Sequence, residues 1–151
     1  MRTLFSLLLA LLMLGNAHAG SPGHVFKVLP LLLDQEGRTA TSPSLFDRDA
    51  YQVFLRDHAA QISGVRYDIL WKAPKVSDAK YVLRLELRGV AADGKPITKT
   101  FDSPVTPGWF RKWHSFTLSG DEMKKAGSIV AWRATLLNGV TTIGEQKSFL
   151  W

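Results

Sequence analysis

Gly108-Trp109-Phe110-Arg111-Lys112-Trp113-His114 packs aromatic and cationic side chains into seven consecutive positions of a 151-residue chain. An exposed indole face stacks on a sugar ring, and guanidinium and ammonium groups hold carboxylates or phosphates. Trp109, Phe110, Arg111, Lys112 and Trp113 are therefore a candidate binding surface for an anionic glycan, a lipid headgroup or an extracytoplasmic protein. A competing reading makes Trp109 and Trp113 core residues at the entry of a loop into a strand, with Arg111 and Lys112 merely solvated, because Trp is mostly buried.

Residues suited to bond-breaking are scarce. Three histidines, His24, His58 and His114, lie beyond the N-terminal leader described below, and no two have the i,i+4 spacing of a helical zinc site. The chain has no Cys, which excludes a thiolate metal site, a cysteine nucleophile, a disulfide scaffold and a lipid-modified cysteine. Asp57-His58 reads as a dyad or, more simply, as a histidine meeting the dipole at a helix C-terminus. Asp47 and Asp49 form a D-x-D in the first turns of a predicted helix, where acids are expected. Ser77-Asp78-Ala79-Lys80 matches S-x-x-K, but in a polar turn and without the partner motifs of the serine acyl enzymes. No P-loop, dinucleotide fingerprint, G-x-S-x-G or EF-hand loop occurs. The expectation is a protein without catalytic residues, metal or cofactor; a small hydrolase with His58 or His114 brought by the fold beside a Ser and an acid is the least favoured reading.

Residues 1–19 have the pattern of a secretory signal peptide. Arg2 is followed by an apolar stretch from Leu4 to Leu14 broken only by Ser6, and Ala17-His18-Ala19 supplies a cleavage site before Gly20. Eleven residues are too few for a spanning helix, which needs about 20, so the expected product is exported to a periplasm or the medium. Its 132 residues hold 18 cations, Arg2 being lost, against 13 acids, a formal charge of +5. The exported location and the spread of these charges along the sequence argue against a nucleic-acid partner.

The elements that must position these residues are mostly strands. Val65, Tyr67, Ile69 and Trp71 alternate with Arg66, Asp68 and Lys72; Tyr81, Leu83, Leu85 and Leu87 alternate with Val82, Arg84, Glu86 and Arg88. Strict alternation is the mark of half-buried antiparallel strands. If these two strands are neighbours, their charged residues form a cross-strand ladder. Further strands are expected over 25–33, interrupted or at a sheet edge because of Pro30, over 97–101, 113–118 and 128–137, and from about 140 to 151. Pro/Gly residues over 103–108 predict a loop, and Asn138-Gly139 predicts a type I′ hairpin turn.

Two helices interrupt the strands. Ser44 with Asp47 three residues on caps a helix over about 45–58. Its apolar sector is Phe46, Ala50, Val53 and Phe54, with Tyr51 beside it, which leaves Arg48, Gln52 and Arg56 facing outward as a candidate partner surface. Ser119-Gly120-Asp121-Glu122 reads as a capping box opening a one-turn helix over about 120–126. Residues 20–24 read as a flexible lead-in to a single domain over 25–151.

Seven such strands, Trp71 on the second of them and the terminal hairpin Trp132…Asn138-Gly139…Phe149 resemble an immunoglobulin-like or fibronectin type III-like sandwich, without its disulfide and with a helix inserted after the first strand. The resemblance implies a mainly β, seven-stranded antiparallel architecture and carries no functional residue with it. The expected function is a non-enzymatic secreted or periplasmic binding domain recognising another envelope macromolecule, either a protein or an anionic glycan. The alternative is a carbohydrate-binding module acting through Trp109, Phe110, Arg111 and Trp113.

Overall fold

A computed structural model describes residues 23–151 apart from residue 92. The expected leader over 1–19, its cleavage after Ala19 and residues 20–22 of the lead-in lie outside the described residues. Seven strands run as β1 (His24–Leu33), β2 (Gly64–Lys72), β3 (Tyr81–Val90), β4 (Pro96–Val105), β5 (Lys112–Ser119), β6 (Ser128–Asn138) and β7 (Thr141–Lys147). Helix α1 (Leu45–Asp57) and a 3-10 turn (Ala59–Gln61) lie between β1 and β2, and α2 (Gly120–Ala126) lies between β5 and β6. All pairings are antiparallel, in two sheets ordered β1-β2-β5 and β4-β3-β6-β7.

The alternating residues face one another across the space between the sheets. Tyr67, Ile69 and Trp71 of β2, Leu83, Leu85 and Leu87 of β3, Leu118 of β5 and Leu136 of β6 are almost fully buried in one core. Burying an apolar side chain of this size is worth about 1.5–3 kcal/mol, so these rows are what holds the two sheets together.

Several expectations need correction. His24 already belongs to β1, and Gly23 is buried so tightly that a Cβ would meet the Ile143 side chain at 2.7 Å; the lead-in therefore ends before them. Strand β4 continues through Ser103-Pro104 to Val105, which was expected as loop, and Pro104 is tolerated because β4 is an edge strand. Strands β2 and β3 lie in different sheets, so no ladder joins their charged faces. Arg66 instead pairs with Asp68 on its own strand, Arg84 with Asp102 on β4, and Glu86 with Arg133 on β6.

The terminal hairpin forms one residue later than predicted. Asn138 pairs with Thr141, so the loop is Gly139-Val140, and only Gly139 has positive φ, at 59°. Glycine in the first central position meets the requirement of a type II′ turn. Strand β7 stops at Lys147, and the chain then turns so that Ser148 exchanges hydrogen bonds with the backbone of Trp132. Helix α2 covers the expected 120–126, but Ser119 stands at its N-cap without the side-chain capping bond the sequence suggested.

The largest correction is the face of α1. Ser44 caps it as expected, accepting from the Asp47 N–H at 3.3 Å, but the helix is turned over. Gln52 and Leu55 are its buried residues, whereas Phe46 and Val53 are 81% and 53% exposed and Ala50 also faces solvent. The cause is what the helix covers. Strand β1 is an edge, and the N–H and C=O of Leu32 point away from β2. The Gln52 amide accepts from that N–H at 2.7 Å and donates to that C=O at 3.0 Å, as a neighbouring strand would, and donates also to the Thr39 carbonyl. Unpaired backbone groups at a buried edge demand a polar partner more strongly than an apolar stripe demands cover. Pro30 has the parity of Leu32 along β1, so its missing donor falls on the open side of the strand.

Candidate functional site

The connection from β4 to β5 carries the aromatic and basic run. Trp109 and Phe110 stand 78% and 84% exposed, and Trp113, the second residue of β5, is 52% exposed. Of the two sequence readings, the exposed one describes Trp109 and Trp113. Lys112 shapes the loop from below: its ammonium donates to the Thr106 carbonyl at 2.9 Å, and its chain runs so close to Gly108 that a Cβ there would meet Cε at 2.8 Å. Glycine and this lysine thus set the loop path and leave the next two residues outward.

Register brings in residues the sequence reading missed. Val25 pairs with Trp71 and Lys27 with Leu70, which leaves Phe26 as the extra residue of a β-bulge. A bulge re-aims the side chain it carries, and here the Arg111 guanidinium sits 4.0 Å from the centre of the Phe26 ring. Beyond β2, the Lys75 ammonium lies 5.5 Å from the centre of the Trp109 ring. His24, Phe26, Lys72, Ala73, Pro74 and Arg111 enclose an open cleft of about 350 Å³. His24, Phe26, Lys72 and Lys75 come from β1, from the end of β2 and from the loop after it. No spacing rule links them to residues 109–113, and only the β1–β2–β5 register makes them neighbours.

Five cations therefore gather at this end: Lys27, Lys72, Lys75, Arg111 and Lys112. Among the described residues none of them meets a carboxylate within ion-pair distance. Charges spread along the sequence are clustered in space. The arrangement can hold an oxyanion and stack a flat ring beside it, because cations resting on aromatic faces keep both their charge and their N–H donors.

The candidate partner surface on α1 is not assembled as predicted. Gln52 is 4% exposed and used up by backbone groups; Arg48 pairs with Asp49 and borders a second cleft of about 280 Å³ with Leu29, Leu31, Arg66, Asp68 and Trp113; Arg56 alone is openly exposed. Beneath α1 lies a polar knot around buried Asp34, whose carboxylate accepts from the N–H groups of Glu36 and Arg38, the Arg38 guanidinium and the Tyr51 hydroxyl. Burial alone would raise its pKa, but the Arg38 N–H, Tyr51 and the Arg38 guanidinium outweigh burial and hold it at about 2.

The histidines are separated. His24 neighbours Phe26; His58 stacks on Phe54 with Nδ1 2.8 Å from the Phe54 carbonyl oxygen; His114 meets the Phe116 ring edge-on, and burial lowers its pKa. Asp47 accepts from Ser42 and Asp49 from Arg48, so the D-x-D pair diverges. No group of three metal-ligating side chains and no helix long and apolar enough to cross a membrane occurs among the described residues. Another cleft, about 520 Å³ beside α2, is walled by residues such as Ser63, Ser119, Gly120, Met123 and Gly127 and offers no aromatic face. Comparison of the chain with protein-family models, curated proteins and solved structures gives no match.

Proposed function

We propose that this protein is a non-enzymatic binding domain working outside the cytoplasm, and that the loop end around Trp109 and Phe110 is its contact surface for an anionic glycan. One observation carries the reading: two adjacent large aromatics are left 78% and 84% exposed in the midst of cations without carboxylate partners. Leaving such side chains in water forgoes about 1.5–3 kcal/mol each, and exposed apolar patches rimmed by polar groups mark interaction sites. A glycan fits better than a protein partner because its rings and oxyanions alternate, as the aromatics and cations do here.

Two further features support the reading. The leader pattern over 1–19 favours export, where acidic envelope or secreted polysaccharides are met. The sheet order β1-β2-β5 against β4-β3-β6-β7 favours the finer likeness to an immunoglobulin-like or fibronectin type III-like sandwich, a scaffold whose end loops commonly carry recognition. The test is a panel of immobilised acidic and neutral glycans probed with the wild type and with Trp109→Ala. The reading expects retention on acidic glycans, lost in the variant while its circular dichroism is unchanged. A panel on which the wild type binds nothing refutes it.

A further inference from the structure

We infer that the cleft between the β1 bulge and the loop after β2 is the subsite for the charged group of an acidic sugar, with Arg111 and Lys72 holding the oxyanion and Trp109 stacking the ring. The inference rests on the glycan-binding reading and assigns its selectivity to residues outside the aromatic run.

Five other arginines are committed to carboxylates: Arg38 to Asp34, Arg48 to Asp49, Arg66 to Asp68, Arg84 to Asp102 and Arg133 to Glu86. Arg111, like Arg88 on Trp151, is held by a ring face instead, that of Phe26 at 4.0 Å. Of these two it is Arg111 that borders a cleft shared with a second cation. A ring face restrains a guanidinium without neutralising it or consuming its donors, so the planar fork stays available for a bidentate carboxylate or sulfate. Lys72, exposed at the end of β2, borders the same cleft and adds a second positive charge. Ala73 and Pro74 supply an apolar wall, which lowers the local dielectric and strengthens both charge pairs. Lys75, resting on Trp109, links this cleft to the stacking face. The bulge at Phe26 is what makes the arrangement possible: without the extra residue that ring has a partner on β2 and a fixed place in the strand alternation.

The ligand chemistry is thus an oxyanion fixed to a sugar ring, with uronates and sulfate esters as its two sources. Titration calorimetry with oligogalacturonate and with its methyl ester separates charge from ring for the first source; dextran sulfate and dextran do so for the second. The acid form should bind about tenfold tighter than the ester, the size expected for one charge-assisted hydrogen-bonded pair. Arg111→Gln and Lys72→Gln should erase that gap and leave ester affinity in place, Arg111→Lys should narrow it, and Trp109→Ala should weaken both forms. The larger of the uronate and sulfate gaps identifies the anion. Equal affinity for acid and ester, with Trp109 still required, overturns the subsite while sparing the glycan-binding reading. Binding of no saccharide by the wild type overturns both. Equal affinity for a single-stranded oligonucleotide or for phosphatidylglycerol vesicles also overturns the subsite, since charge without the ring would then suffice.

Discussion

The three-stranded sheet is flanked at one end by α1 and at the other by the β4–β5 loop. Both ends leave large apolar side chains in water, Phe46 at one and Trp109 and Phe110 at the other, but they treat polar groups in opposite ways. Around α1 the polar groups turn inward and are consumed: Gln52 closes the edge of β1, and Asp34 collects four donors. At the loop end two cations, Lys75 and Arg111, rest on rings instead of carboxylates. A group whose hydrogen-bonding capacity is filled within the fold contributes to stability and has little left for a ligand. One whose capacity is open contributes little to stability and is free to bind. Under the proposed function, the difference gives structure to one end and recognition to the other.

Variants at the two ends should therefore move different observables. The largest effect expected is on stability: Gln52→Leu strands the N–H and C=O of Leu32 and should cost about 3 kcal/mol, read by urea unfolding, with glycan affinity unchanged. Loss of binding in this variant would break the division between the ends. Next, Trp109→Ala should lower glycan affinity by about 2 kcal/mol, the size of a binding hot spot, with the thermal midpoint unchanged.

A pH series sharpens the α1 end. Asp34 has a folded pKa of about 2 against an ordinary 3.8, so its contribution to stability is complete above about pH 4 and is lost as pH falls through 2. The thermal midpoint of the wild type should drop across that window more steeply than that of Asp34→Asn; parallel curves would contradict the role given to the knot. The exposed bidentate pair of Arg84 and Asp102 on the other sheet should contribute at most about 1 kcal/mol, fading with salt. Smallest of all, Lys75→Gln should shift stability by less than about 0.5 kcal/mol, measured by the same unfolding.

These contrasts also explain what could be read in the residues alone. Strands β2 and β3 were legible because one face of each meets a core and the other meets water, which forces strict alternation. The face of α1 was not, because its main partner is the backbone edge of β1, and backbone leaves no trace in side-chain periodicity. The turn at Gly139 was found but misplaced by one residue, since a glycine satisfies either the second position of a type I′ turn or the first of a type II′ turn. For the site, the run 109–113 stood out by composition, yet exposure of its tryptophans depends on whether another element covers them. Phe26 and Lys72 could not be joined to that run from spacing, because a bulge and two strand registers make the connection.

The indole N–H resonances of the five tryptophans report on the central claim at once, in a single titration of the labelled protein with oligogalacturonate. Trp109 and Trp113 should shift in a saturable way, while Trp71 in the core, Trp132 beside it and Trp151 against Arg88 and Arg133 stay in place. Saturable shifts at Trp132 or Trp151 with Trp109 unmoved would place recognition on the other sheet and contradict the account.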